Sequence, residues 1–145
     1  MRYFNISEFD SGLPNEEGTG KNMSPLFLDF IDELRSRCDF PFFVSSGFRT
    51  EEYHQSLTDR GYHTIKNSAH LKGLAADIVI KDSVKRALFV GHALQLVHEL
   101  GLPFRVGIKK NSFCHIDIDE ERTNPRLWIY WKQSRDKTVI LSQQI

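Results

Sequence analysis

Apolar side chains recur at helical spacing after residue 24, at Phe27, Phe30, Ile31 and Leu34. Ser24 is a typical N-cap residue, and Pro25 suits the first position of a helix because its missing N–H has no partner there. The pattern therefore predicts a helix from about 25 to 38. Before it, residues 10–22 are rich in Gly, Pro, Asn and acids and predict a loop.

A short apolar segment rich in β-formers follows at residues 41–48 and predicts a buried strand. Thr50 can then cap a short helix. Glu51 and Glu52 would lie in its first turn, beside the positive end of the helix dipole, and Gly61 can end it.

Residues 74–80 are apolar except for Asp77, which predicts a strand carrying one acid. After it, Ser83 is expected to cap a second long helix that stops at Gly101 and Pro103. The residues expected on the inward face of that helix are Val84, Ala87, Leu88, Gly91, Leu94 and Val97.

Two further apolar segments, 104–108 and 113–118, predict a hairpin whose turn is the sequence KKNS. The tail at 126–141 is aromatic and then β-branched, and it predicts an edge strand. No internal repeat interrupts this order. The predicted fold class is α+β, with helices packed on a small antiparallel sheet.

The composition agrees with a folded domain. At 145 residues the chain fits one domain spanning 1–145, with residues 1–23 as a lead-in and loop, because domains typically contain roughly 50 to 250 residues. A hydrophobic share of 40% with 11 Phe supplies apolar surface for a core. Cys38 and Cys114 are far apart and outside any CxxC pattern, so buried thiols are expected rather than a disulfide framework.

Charge and hydropathy exclude several classes of partner. Nineteen basic residues balance nineteen acidic ones, so no global field attracts nucleic acid or an anionic membrane. The first 25 residues show no basic segment followed by an apolar one, and no apolar run approaches the ~18 residues of a membrane span. We therefore expect synthesis in the cytoplasm without a signal peptide.

Three segments carry candidate chemistry: SGFRT at 46–50, SAHLKGLAADI at 68–78 and FCHIDID at 113–119. Six residues that include Gly73 separate His70 from Asp77, so the chain can turn from a loop into a strand and aim both side chains at one point. Imidazole and carboxylate are both zinc ligands, and His115 is the best candidate for a third. Two His and one carboxylate would leave a fourth position open for water, although a buried His bonded to a backbone carbonyl is a commoner arrangement.

In this order, the three segments resemble the motifs of the M15 family of zinc peptidases, which includes D-Ala-D-Ala carboxypeptidases, vancomycin-resistance dipeptidases and phage endolysins. The segments S-x-H-x(6)-D and F-x-H-x-D match that family, and the lead-in YFNISEFD and GKNMSPLFLDFIDELR resembles its small, often phage-encoded branch. The resemblance implies a hedgehog or D-Ala-D-Ala peptidase-like fold. It also implies one zinc ion per chain, bound by His70, Asp77 and His115.

The same resemblance implies that Arg49 faces the substrate, where its planar guanidinium can hold a carboxylate or stabilise an oxyanion. The alternative for Arg49 is a surface ion pair with Glu51 or Glu52. Ser68 is expected to orient the metal-site loop or the substrate, with a plain turn residue as its alternative.

The general base is where the sequence departs from the family. Many M15 enzymes place an acid three residues before the last zinc-binding His, and some place another His two before it, but Ser112 and Phe113 stand there. Asp117 follows His115 by two residues and shares its strand face, so it is the candidate proton acceptor. The alternative is that Asp117 only holds His115 or Arg49 in place.

The expected function is a zinc metallopeptidase that cuts peptidoglycan peptides, either as a D,D-carboxypeptidase or as an endolysin-type endopeptidase. It would be a monomer acting on stem peptides after release from the cell or export by a non-classical route. The alternative is a non-catalytic zinc module of the same fold that binds the cell wall or a protein, as the related hedgehog domains imply. His54 and His63 are expected to face solvent, with a position at the border of the cleft as the alternative. Trp128, Tyr130 and Trp131 are expected to close a core, with stacking on substrate as the alternative.

Overall fold

The structure is a computed structural model that describes residues 1–132 and 138–143, with side chains described up to residue 130. Its helices are α1 (Pro25–Cys38), α2 (Glu51–Asp59) and α3 (Ser83–Leu100). Its strands are β1 (Val44–Ser46), β2 (Ala75–Ile80), β3 (Arg105–Lys109), β4 (Ser112–Asp117), β5 (Arg126–Lys132) and β6 (Thr138–Gln143). The strands form one sheet in the order β1-β2-β4-β3-β5-β6. The predicted α+β class is confirmed.

Side-chain caps explain where the helices begin. Ser24 Oγ accepts a hydrogen bond from the backbone N–H of Phe27 at 3.4 Å, and α1 spans the predicted residues. Thr50 caps α2 in the same way. The cap of α3 is Asp82, whose carboxylate accepts from Lys85 N at 2.8 Å, and Ser83 is the first helical residue. A carboxylate is favoured there because its negative charge also interacts favourably with the positive end of the helix dipole.

The inward face predicted for α3 is wrong except at Val97. The side chains of Val84, Leu88 and Leu94 are 66%, 42% and 43% exposed. The buried ones are Phe89, Ala93, Leu96 and Val97. Apolar residues occur on more than one face of this helix, so helical spacing alone is compatible with two orientations of the helix. In the structure the helix adopts the orientation in which the bulky ring of Phe89 packs into the core.

The tail forms two strands where one edge strand was expected. The chain crosses over β3 after β4, so β5 pairs with β3 in parallel and is the one parallel neighbour in the described sheet. Strand β6 then pairs antiparallel with β5 at the edge. Part of the predicted 126–141 strand, residues 133–137, lies outside the described residues.

The sheet has two chemically different faces because successive side chains of a strand alternate. On β4, Cys114 and Ile116 point into a hydrophobic core shared with α1 and α3. His115 and Asp117 point to the opposite face, which is open to a cleft. The alternation of this one strand therefore separates the structural face of the sheet from the polar one.

Both cysteines lie in that core as buried free thiols, as predicted. Burial raises the pKa of each thiol to about 12, so neither is a nucleophile near neutral pH. Among the described helices, none combines the length and hydropathy needed to span a bilayer.

The N-terminal segment is fixed to the rest of the chain by both apolar and polar contacts. The rings of Phe4 and Phe9 are buried in the core, and the carboxylate of Asp32 on α1 accepts hydrogen bonds from Arg2 N at 3.0 Å and Tyr3 N at 2.9 Å. Burial alone would raise the pKa of Asp32, but these backbone donors and the Arg2 guanidinium hold it below its ordinary value.

Asp32→Ala is expected to destabilise the protein by ~1 to 3 kcal/mol, since two N–H groups lose a charged acceptor. A lowered pKa stabilises the fold above the ordinary carboxyl pKa, and this contribution disappears as the pH falls through the folded-state value. The stability difference between wild type and variant, measured by urea unfolding, should therefore shrink below about pH 4. Asp29→Ala, an exposed acid on the same helix, is the control, and an equal loss there would contradict this account.

Candidate metal centre

Strand pairing brings two of the predicted ligands together. Asp77 of β2 lies directly opposite His115 of β4 in the antiparallel register. The Nδ1 atom of His115 is 2.9 Å from Asp77 Oδ1. Both side chains are buried at the floor of the cleft.

The third predicted ligand comes from a short 3-10 turn, Ala69–Lys72, that precedes β2. Gly73 ends this turn with φ +70, and an ideal Cβ there would lie 2.4 Å from the carbonyl oxygen of Asn22, so the close turn requires glycine. The turn aims His70 Nε2 at Asp77 Oδ1, 3.3 Å away. Ligand atoms of His70, Asp77 and His115 all lie within 4.8 Å of one another.

The second nitrogen of each imidazole is held by an acceptor. His70 Nδ1 lies 2.8 Å from the carbonyl oxygen of Gly47, and His115 Nε2 lies 2.7 Å from Asp117 Oδ2. These bonds orient both rings and leave His70 Nε2 and His115 Nδ1 facing Asp77. Histidine ligands of protein metal sites are oriented in this way, and two imidazole nitrogens with one carboxylate oxygen suit zinc. The residues present therefore fit a zinc ion.

The electrostatics of the cluster keep Asp77 ionised. Burial alone would raise the pKa of its carboxyl, but the charge of His70 and hydrogen bonds from His115 and His70 hold it well below its ordinary value. Burial lowers the pKa of His70. For His115 burial also acts downward, but bonds to Asp117 and Asp77 outweigh it and raise its pKa to about 9. The carboxylate of Asp77 therefore stays anionic between the two imidazole rings.

Arg49 also lies at the cluster. Its Nη2 is 3.4 Å from Asp77 Oδ2, its Nε donates to Ser46 Oγ at 2.9 Å, and its side chain is 13% exposed. In the described residues its carboxylate partner is Asp77 and not Glu51 or Glu52. The guanidinium therefore borders the cleft beside the oxygen of Asp77 that faces away from the imidazoles.

Both carboxylate oxygens of Asp117 accept hydrogen bonds from the protein. Oδ2 accepts from His115, while Oδ1 accepts from Arg105 Nε at 2.8 Å and from the backbone N–H of Asp119 at 3.1 Å. The side chain is 1% exposed. This geometry favours the alternative in which Asp117 positions His115. Sequence reasoning missed Arg105, and the register of β3 and β4, which pairs it with Asp117, is the signal that locates it.

The cleft above the cluster has a volume of about 1060 Å³ and is large enough for a peptide segment. Its wall includes Trp128, whose ring centroid is 5.5 Å from that of His115, and Tyr130 beside it. Both aromatics face the cleft and not the helices, while the side chain of Trp131 lies outside the described ones. His63 also lines the cleft, and His54 instead bonds the carbonyl oxygen of Ile65.

The profile of the family described as Peptidase M15 matches residues 2–117, about four-fifths of the chain. The chain belongs to the M15 peptidase family. The matched range contains the three residues of the cluster and ends at Asp117, so β5 and β6 lie beyond it. The resemblance of the sequence motifs to this family is confirmed.

Among solved structures, this M15 chain is similar to the Serratia marcescens L-Ala D-Glu endopeptidase ChiX. The TM-score is 0.56 at 18% sequence identity, and the match covers 70% of this chain and 84% of the other. At this identity the likeness shows a common fold. No curated protein matches the chain.

Ser112 and Phe113, which stand where the motif resemblance leads us to expect a general base, both line the cleft. Ser68 is buried, and its hydroxyl accepts from His70 N at 3.3 Å, which places it as a cap of the ligand-bearing turn. A contact of Ser68 with substrate stays a prediction.

The position of the Trp128 indole depends on the absence of a side chain at Gly107. An ideal Cβ at Gly107 would lie 2.4 Å from the Trp128 ring, so Gly107→Ala is expected to displace the ring and destabilise the protein by ~1 to 3 kcal/mol. A change in tryptophan fluorescence and a lower melting temperature should be seen together. Gly91→Ala is the control, because no atom lies within 4 Å of a Cβ there and alanine should stabilise α3 by ~0.5 to 1 kcal/mol. Equal melting shifts in the two variants would contradict the packing argument.

Proposed function

We propose that the chain is a zinc-dependent peptidase that hydrolyses peptide bonds of peptidoglycan stem peptides. The observation that carries this proposal is the cluster of His70, Asp77 and His115 at the floor of an open cleft, each imidazole oriented through its second nitrogen. Membership of the M15 family supports a peptidase. The structural neighbour is an L-Ala D-Glu endopeptidase, so we propose an endopeptidase form beside the D,D-carboxypeptidase form.

His70 Nε2, Asp77 Oδ1 and His115 Nδ1 would hold the zinc. When bound, zinc would supply a Lewis acid that polarises a peptide carbonyl and makes water a better nucleophile. Arg49 would orient the substrate, because its guanidinium borders the cluster and can bind a carboxylate or a developing oxyanion. Asp117 would fix the ring of His115 while Arg105 holds Asp117 in turn.

These assignments do not include a residue that accepts the proton of the attacking water. Outside the metal cluster, His63 is the one histidine of the described cleft lining, and histidine is the side chain that most often serves as a general base. It lies on the loop between α2 and the ligand-bearing turn, where substrate entering the cleft would pass. His63 is therefore tested beside Asp117, by His63→Gln with zinc content unchanged and turnover reduced by ~10² or more.

The test of the function is incubation of zinc-loaded protein with purified peptidoglycan and defined muropeptides, with the products read by mass spectrometry. Release of free D-Ala would show a D,D-carboxypeptidase, and cleavage between L-Ala and D-Glu would show the endopeptidase. His70→Ala is the inactive control. Intact substrate after incubation with protein that carries a full equivalent of zinc would contradict the proposal.

The second candidate is a zinc module of the same fold that binds wall peptides or a protein without cutting them. It is favoured by Ser112 and Phe113 at the usual base positions and by the bonds that both oxygens of Asp117 make within the protein. Co-sedimentation with peptidoglycan without product formation would support it. In both cases we propose a monomer whose partners are wall peptides and not nucleic acid or membrane.

A further inference from the structure

The cleft is cationic although the chain as a whole is neutral. The sequence carries equal numbers of basic and acidic residues. The cleft lining, in contrast, contains seven Lys and Arg side chains and two acids, Asp77 and Asp117. Both acids are engaged within the protein, and a bound zinc ion would add further positive charge. This surplus of positive charge in the cleft favours the binding of an anionic ligand.

Three of the seven cations are paired with carboxylates of the protein. Arg105 is bonded to Asp117, Arg122 lies 3.4 Å from Asp119, and Arg49 lies beside Asp77. The guanidinium of Arg60 lies 5.3 Å from the ring centroid of Tyr62. Among the described residues, four cleft cations have no carboxylate partner: Arg60, Lys81, Lys109 and Arg126.

Two of these four, Lys81 and Lys109, lie on the same side of the metal cluster. The register aligns Lys109 with Phe113, which is the next cleft-facing residue of β4 before His115. Lys109 is therefore about 6.6 Å, one strand repeat, from the level of the metal cluster. Lys81 follows Asp77 by four residues, so it lies about two repeats along the same direction.

The side chains of Lys81 and Lys109 border the same cleft. The Lys109 side chain is half-buried, and its Nζ lies 5.9 Å from the ring centroid of Phe113. The backbones of Lys81 and Lys109 are separated by two inter-strand spacings of ~4.8 Å across the sheet and by about one strand repeat along it. Lysine side chains are long enough to reach one small anion between these two positions. An extended peptide spans roughly 3.3 to 3.6 Å per residue.

We propose that Lys81 and Lys109 form a carboxylate-binding subsite for a substrate peptide. The subsite would bind a carboxyl group about two to four residues from the scissile peptide bond, which lies at the metal cluster. This inference rests on the proposed function in taking the ligand to be a peptide. The site distinguishes a free carboxylate from a carboxamide, because the amide is neutral and its NH₂ meets two ammonium donors without an acceptor.

The experiment measures binding without cleavage. Fluorescein-labelled synthetic stem peptides, N-methylated at their backbone amides so that they resist hydrolysis, are titrated with the zinc-loaded full chain and followed by anisotropy. One peptide has all its carboxyl groups free, and the others carry a carboxamide at a single carboxyl position each. In wild type, one amidation should weaken binding by roughly 10-fold or more, and the other amidations should have smaller effects.

The variants are Lys81→Ala, Lys109→Ala, the double variant, and Lys110→Ala as the matched control. Lys110 is an exposed neighbour on the same hairpin and does not line the cleft. Each cleft variant should lose part of the discrimination, the double variant should lose it entirely, and Lys110→Ala should behave as wild type. Lys81→Arg with Lys109→Arg should restore a preference for the carboxylate, because the charge is retained. A double alanine variant that discriminates as wild type does overturns the subsite.

Failure of the subsite and failure of the proposed function give different results. A protein that prefers the free carboxylate through these lysines yet cuts no peptide supports the subsite and contradicts the peptidase. A protein that cuts unmethylated free and amidated peptides at equal rates and binds them equally supports the peptidase and contradicts the subsite.

Discussion

His115→Ala is expected to reduce bound zinc from about one equivalent per chain to a small fraction and to abolish peptide hydrolysis. The imidazole of His115 contacts both acids of the site: its Nδ1 lies 2.9 Å from Asp77 Oδ1, and its Nε2 lies 2.7 Å from Asp117 Oδ2. Losing an outer partner of a ligand typically lowers metal affinity 10- to 100-fold, so loss of the ligand itself should exceed ~100-fold. Metal content after dialysis, measured by mass spectrometry, is the direct readout.

Two further variants make that result interpretable. His70→Ala removes a different ligand and should also lose zinc, whereas His98→Ala removes an exposed histidine of α3 and should keep it. Circular dichroism on each preparation separates loss of metal from loss of fold, because the apolar core lies on the other sheet face. A full equivalent of zinc in folded His115→Ala protein would show that the ligand set is different.

Asp117→Asn is expected to weaken zinc binding by ~10- to 100-fold and to recover most turnover when zinc is added in excess. The amide preserves the shape of the side chain but no longer carries the charge that fixes His115 and pairs with Arg105. A general base would behave differently. Its loss should lower turnover by ~10² to 10⁴ with zinc still bound, and excess metal should not restore it.

The matched control is Asp119→Asn. Asp119 is also 1% exposed, but its carboxylate bonds Lys72 and Arg122 instead of an imidazole. The control should share any general loss of stability and leave zinc affinity unchanged. Titrating turnover against zinc concentration for both variants therefore isolates the contribution of the contact with His115.

Local signals in the sequence were sufficient wherever neighbouring residues decide the structure. The Ser24-Pro25 cap fixed α1, and the position of Gly73 fixed the turn that aims His70 at Asp77. Alternation along a strand also placed His115 and Asp117 on one face. The choice of Ser83 over Asp82 as a cap failed by one residue because both are good cap residues.

Features that depend on distant partners could not be predicted in this way. The buried face of α3 is chosen by the space left for Phe89 in the core, and the parallel pairing of β5 depends on a crossover that no local pattern encodes. The engagement of Asp117 required knowledge that Arg105 stands opposite it. The sequence therefore identified the candidate ligands but not the network that holds them.

The alternation of β4 also sets where this gene can tolerate insertions and deletions. One extra residue between Phe113 and His115 would place the imidazole in the apolar core and turn a core side chain toward the cleft, since a shift by one reverses every side chain beyond it. The same residue added at Lys110 and Asn111, in the exposed turn, changes only the loop. Length variation among descendants of this chain should accumulate in that turn and be absent from the strand six residues long that follows it.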